Sequence, residues 1–221
     1  MSFNVAIDGP AGAGKSTIAK GVAAEMGFIY VDTGAMYRAI ALYLLRNGIK
    51  AGDNEQISAR CKEAQVSIQY VDGKQVVLLN GEDVNGYIRT EEVGGMASSS
   101  STNKDVRLQL LDLQRDLAAK NDVIMDGRDI GTNILPNAQV KIYMTASIEV
   151  RAKRRYDEFV AKGMDCDLEE IKKEIAERDE RDMNREIAPL RQAEDAIYLD
   201  TSDMSIEEVK QAIVDIIRSK Q

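Results

Sequence analysis

Residues 9–16 read Gly-Pro-Ala-Gly-Ala-Gly-Lys-Ser, a G-x-x-x-x-G-K-[ST] pattern filled at every specified position. The chemistry this spacing suits is the holding of a nucleoside triphosphate. Gly9, Gly12 and Gly14 let the backbone curl without Cβ clashes, so the N–H groups of Gly9, Pro10, Ala11, Gly12, Ala13 and Gly14, proline excepted, can turn toward phosphate oxygens. Lys15 adds a mobile positive charge for the outer phosphates, the Ser16 hydroxyl can ligate Mg²⁺, and Thr17 follows at the helix start. The flanks fit: Phe3–Ile7 is short and rich in strand formers, and 17–26 has helical apolar spacing.

Three further segments carry usable chemistry. Asp126-Gly127-Arg128-Asp129 follows an apolar strand directly, where functional loops of parallel α/β sheets gather. There Asp126 can orient a metal's water shell, Arg128 can bind a phosphate bidentately and Asp129 can accept from ribose hydroxyls; the plainer reading is a solvated turn with a local ion pair. Arg178, Arg181, Asp182 and Arg185 share one face if helical, and Arg151, Arg154 and Arg155 repeat the spacing upstream. Such a stretch is either two surface helices laced with ion pairs or an arginine-bearing flap over phosphates. In Asp32–Arg38, Thr33 and Arg38 stand at a helix start, where anions are favoured. The serine run 98–101 reads as a flexible loop. The chain has no histidine, which removes the commonest general acid/base but leaves phosphoryl transfer open, because that reaction asks mainly for positioning and for cations.

The elements that must hold these groups follow from periodicity. Strands are expected at 3–7, 28–31, 123–126, 140–144 and 196–199, and helices at 17–26, 35–47, 56–64, 105–120 and 206–218, the last opened by a Ser205…Glu208 capping box. Segment 147–190 is charged and helical in pattern. From Val66 the period switches to alternation, with turns at Asp72-Gly73 and Asn80-Gly81, so 66–88 reads as an inserted small antiparallel sheet. A length of 221 residues suits one well-cored α/β domain with insertions. A net charge of −8 argues against a nucleic-acid footprint. Cys61 and Cys166 are far apart and suggest neither disulfide nor zinc. No segment reaches the roughly 18 apolar residues of a membrane span, and a cytoplasmic, monomeric protein is expected.

Together the phosphate loop led by Ile7-Asp8, the segment Asp32–Arg38, the segment Asp126–Thr132 and the segment Glu177–Arg185 make the chain resemble the bacterial cytidylate kinase family of nucleoside monophosphate kinases. The resemblance implies an α/β P-loop kinase with a central parallel sheet flanked by helices, an inserted antiparallel-sheet subdomain and a helical lid. By it, 1–65, 89–146 and 191–221 form the core ATP-binding domain, with monophosphate-binding helices near 35–65 and 89–105. Segment 66–88 belongs to the monophosphate-binding domain, and 147–190 is the lid. It further implies transfer of a phosphoryl group from ATP, with Mg²⁺, to CMP or dCMP. Carried over by position, Lys15, Arg128, Arg185 and Asp126 serve catalysis, and Arg38, Arg128 and Arg185 hold the acceptor phosphate. Thr33, where the family often has Ser, and Asp129 touch phosphate or sugar. Ser98, Arg178 and Asp182 read the base, Arg107 is a further substrate-side arginine, and Arg151 and Arg154 are lid arginines. The alternatives are another kinase of the same fold, such as an adenylate or dephospho-coenzyme A kinase, a regulatory ATP-binding module, or a GTP-dependent switch. The last reads guanine with N-K-x-D, which Asn103-Lys104-Asp105-Val106 fails to match.

Overall fold

The computed structural model describes residues 2–221. In chain order its elements are β1 (Asn4–Asp8), α1 (Lys15–Met26), β2 (Ile29–Asp32), α2 (Thr33–Arg46), α3 (Asn54–Arg60), β3 (Val66–Val71), β4 (Lys74–Leu79), β5 (Glu82–Asp83), α4 (Glu91–Ser100), α5 (Lys104–Lys120), β6 (Val123–Gly127), β7 (Val140–Thr145), α6 (Ile148–Ala161), α7 (Leu168–Asn184), β8 (Ile197–Asp200) and α8 (Ile206–Arg218). A 3-10 turn at Cys61–Glu63 extends α3, and a π-helical turn at Ile130–Ile134 follows β6. There is one five-stranded sheet and one three-stranded sheet, and the chain divides into two compact units.

The unit made of Asn4–Phe28 and Ile124–Gln221 carries the order β6-β1-β7-β8. β1 pairs with β7 in parallel from Val5↔Val140 to Asp8↔Tyr143, and β7 pairs with β8 in parallel from Ile142↔Ile197 to Thr145↔Asp200. Helices cover such strands, so β1 and β6 read as unbroken apolar runs, and Val5, Ala6, Ile7, Ile124 and Met125 are fully buried. α1 starts abruptly at left-handed Gly14 and stops at left-handed Gly27, whose N–H bonds back to Ala23. The Ser205–Glu208 capping box that the sequence predicts opens α8. α6 and α7, capped by Ser147 and Asp167, are joined through Ala152, Ile171 and Ile175.

The other unit comprises the chain up to Phe3 and Ile29–Val123. Here α2 packs against α4, α5 and β4. The antiparallel sheet β3-β4-β5 keeps the register Val71↔Lys74 and Leu79↔Glu82 across its two turns. Asp72-Gly73 and Asn80-Gly81 all have positive φ, the type I′ geometry that matches strand twist and that Asx-Gly pairs supply. One expectation fails: Ser98, Ser99 and Ser100 are not loop but the last turn of α4. Thr90 caps that helix by accepting from Val93 N–H, Glu91 and Glu92 suit its first turn, and burial of Val93, Met96 and Ala97 overrides the weak helix propensity of glycine and serine.

Candidate active site

Gly9 follows β1 with φ +152°, and a Cβ there would lie 1.9 Å from the Met144 carbonyl oxygen, so no other residue fits the entry to the loop. Six residues further, α1 begins at Lys15 and Ser16. Lys15 is buried, and its Nζ donates to Pro10 O at 2.7 Å. Burial first, then the nearby positive charges of Arg128 and Arg178, push its pKa well below the ordinary lysine value, against the pull of Asp126 and Asp8. The ammonium therefore sits among both cations and carboxylates in a dry setting. Ser16 Oγ donates to Asp126 Oδ2 at 2.8 Å, which brings together the residue expected to ligate the metal and the one expected to orient its water shell.

The loop after β6 is pinned from β1. Asp8, 5% exposed, accepts from Ile130 N–H at 2.8 Å and Gly131 N–H at 2.7 Å. Burial raises its pKa from 3.8 to about 6, the two N–H groups resisting that rise. Arg128 donates from Nε to Asp182 Oδ2 at 2.9 Å and from Nη1 to Gly127 O at 3.1 Å. Arg185 donates to Asp129 Oδ1 at 3.2 Å and to Ala188 O at 2.7 Å, and its Nη1 stands 4.0 Å from Asp182 Oδ1. Burial alone would raise the pKa of Asp182; Arg128, Arg178 and Arg185 outweigh it and hold the carboxyl below its ordinary value. Thus Arg128, Asp129, Asp182 and Arg185, distant in sequence, form one alternating cluster. Arg151 and Arg154 of α6 point at the phosphate loop's own backbone, donating to Ala11 O at 2.9 Å and Ala13 O at 3.3 Å.

The other unit holds the remaining sequence-predicted residues. Thr33 is buried in the first turn of α2, behind Asp32, whose side chain caps that helix by accepting from Ala35 N–H at 2.9 Å. Arg38 donates to Ile88 O at 3.0 Å and Thr90 O at 3.3 Å. Gly94 makes room for it, since a Cβ at 94 would lie 3.1 Å from both terminal nitrogens. Arg107 donates to Ser101 O at 3.3 Å with its guanidinium 5.6 Å from the Tyr37 ring centroid. Ser98 Oγ is buried without a hydrogen-bond partner, an orphaned polar atom of the kind a ligand satisfies.

Sequence reasoning missed three polar side chains that set this geometry. Asp8 was legible as an acid ending an apolar strand directly before the loop. Asp179 was hidden in a run of charges that also suits a solvated helix. Gln75 gave no signal; from β4 its Oε1 accepts Asp32 N–H at 2.8 Å and its Nε2 donates to Asp32 O at 3.2 Å, while Tyr70 OH donates to Tyr30 O at 3.1 Å.

The profile described as Cytidylate kinase matches residues 5–219 of the chain. A cytidylate kinase of Caldicellulosiruptor bescii is 51% identical over 214 residues, 97% of this chain and 95% of that protein. One from Geobacillus sp. is 47% identical over 219 residues, covering 99% and 98%. Among solved structures, an uncharacterized protein from Eubacterium ventriosum superposes with TM-score 0.54 over 99% of both chains at 13% identity, a likeness of fold alone.

Proposed function

Because the chain belongs to the cytidylate kinase family, we propose that it transfers the γ-phosphoryl group of ATP to CMP or dCMP, giving ADP and CDP or dCDP, by direct in-line displacement. The observation that carries the chemistry is the electrostatics around Lys15. Buried Lys15 holds its Nζ against Pro10 O within the glycine loop, beside Arg128 and Arg178 and opposed by Asp8 and Asp126, and these cationic groups are what incoming phosphates would engage. The N–H groups of Gly12–Thr17 hold the ATP phosphates, and Lys15 exchanges Pro10 O for the phosphoryl group in transit.

Ser16 and Asp126 would hold Mg²⁺, which neutralises charge on the ATP phosphates. Their hydroxyl and carboxylate oxygens are the hard donors that ion prefers. Arg38, Arg128 and Arg185 take the acceptor phosphate, with Thr33 and Asp129 serving phosphate or sugar. Arg107 is a further substrate-side arginine.

For the base, Asp182 is held ionised by its arginines and so is an acceptor for the cytosine 4-amino group. Arg178 donates to the ring acceptors, and Ser98 supplies the orphaned hydroxyl. Among the described residues no helix is long and apolar enough to cross a membrane. For location and assembly we infer, separately from that, a cytoplasmic monomer that acts on small-molecule nucleotides. Steady-state kinetics with CMP, dCMP, UMP and AMP at fixed ATP and Mg²⁺ test the proposed activity. CMP and dCMP should exceed UMP and AMP in kcat/KM by at least ~10-fold; a preference for AMP would overturn the assignment.

A further inference from the structure

One buried ion pair grips the phosphate loop from outside. Arg151 of α6 and Asp179 of α7 are each about 7% exposed at the side chain and meet at 2.6 Å. Between them they take both polar groups of a single loop residue. Arg151 Nη1 donates to Ala11 O at 2.9 Å, and Ala11 N–H donates to Asp179 Oδ1 at 3.3 Å. Arg151 is itself anchored, its Nε donating to Ala146 O at 2.9 Å. The helices come close to the loop at Gly12, where a Cβ would lie 3.3 Å from Arg151 Cβ and 3.8 Å from Ile175 Cδ1. One turn along α6, Arg154 donates to the next outward carbonyl but one, Ala13 O, at 3.3 Å.

A loop that turns its N–H groups inward to phosphate must turn its carbonyls outward, and here those carbonyls are met by guanidinium groups. Fixing both sides of Ala11 fixes the plane of the peptides leading into Gly12, and with them the aim of the following N–H donors. Taking two charges out of water costs as much as their attraction returns, so stability alone does not account for the pair. Asp179 also stands between Arg178 and Asp182 on α7, so the helix that bears the base-reading and acceptor-phosphate groups is bonded to the donor loop.

We propose that Arg151 and Asp179 are positioning residues for phosphoryl transfer. They hold the phosphate loop in its ATP-binding curl from behind and tie that curl to α7. The proposal rests on the kinase reading for its choice of ligand, and it rests on the backbone partners of Arg151 at Ala11 and Ala146.

The test is an apolar swap, Arg151→Met with Asp179→Leu, which fills the space without stranding a charge. Equilibrium binding of ATP and of CMP is measured separately by calorimetry on the full chain, alongside thermal melts. The swap should remain folded by the melts, bind ATP at least ~10-fold more weakly and bind CMP within ~3-fold of wild type. Unchanged ATP affinity, or equal weakening for both ligands, would overturn the proposal. Should the swap fail to fold, Arg151→Lys keeps a counter-charge for Asp179 but cannot span Ala146 O, Ala11 O and the carboxylate at once. It should show the same split at ~3-fold or more, and wild-type affinity for ATP there would likewise refute it. Failure of the kinase reading looks different: the wild-type chain would bind ATP yet turn over no CMP.

Discussion

Asp8 should make the stability of this protein depend on pH in a direction opposite to that of most carboxylates. Its pKa is raised from 3.8 to about 6 by burial, so the folded state holds a proton more tightly than the unfolded chain does. Below the unfolded value both states are protonated and burial carries no charge penalty. As pH rises toward 6 the unfolded chain ionises first, and above 6 the folded state holds a buried carboxylate at full cost. A shift of this size corresponds to about 3 kcal/mol. Asp8→Asn has no such titration, and comparing the two proteins cancels the groups that do not interact with Asp8. The free energy of unfolding, measured by urea denaturation from pH 4 to pH 8, should fall in wild type relative to Asp8→Asn by about 2 to 3 kcal/mol, with most of the change before pH 6.5. The constant part of the difference is immaterial, since asparagine offers one acceptor where Ile130 and Gly131 present two donors. A difference that stays flat across this range would refute the reasoning and show that the two N–H bonds and Lys15 fully offset the desolvation of Asp8.

Two further outcomes bear on the chemistry. Lys15→Met keeps the glycine loop but removes the charge beside the migrating phosphoryl group, so kcat should fall at least ~10²-fold while circular dichroism and melting stay near wild type; near-normal turnover would remove Lys15 from the mechanism. Asp182→Asn supplies an amide that can donate to the uracil carbonyl, so the ratio of kcat/KM for CMP over UMP should narrow at least ~10-fold. An unchanged ratio in a folded variant would leave Asp182 as only the partner of Arg128 and Arg185.

The readable part of this chain was the part governed by local rules. The phosphate loop announces itself because glycine is required at Gly9 by a contact of 1.9 Å and at Gly12 and Gly14 by positive φ. Both hairpin turns follow from Asx-Gly pairs, and α8 follows from its capping box. The loop Asp126–Asp129 was visible from its place after an apolar strand. What stayed hidden depends on partners far away in sequence. α4 contains two glycines and four serines in or beside it and forms because Val93 and Met96 find a core to enter. Asp179 looks like any exposed acid in a charged helix until Ala11, 168 positions away, is found to donate to it. The contacts of Arg151 were left open by the sequence; its donors go to Ala11 O, Ala146 O and Asp179. Charge patterning alone does not say which arginine of a helix faces which neighbour.

The small antiparallel sheet touches β2 through two side chains, and this divides its residues into two classes for an evolving gene. At position 75 the side chain must offer an acceptor to Asp32 N–H and a donor to Asp32 O at the same time, a requirement that a side-chain amide meets and a carboxylate or ammonium does not. At position 70 a hydroxyl must arrive at the end of a long rigid stem to reach Tyr30 O. Residues such as Val71, half exposed beyond them, are under neither demand. The insertion can therefore drift in length, charge and surface while two functional groups stay put, and a hairpin of unrelated sequence that delivers the same amide and hydroxyl would keep Thr33 where it is.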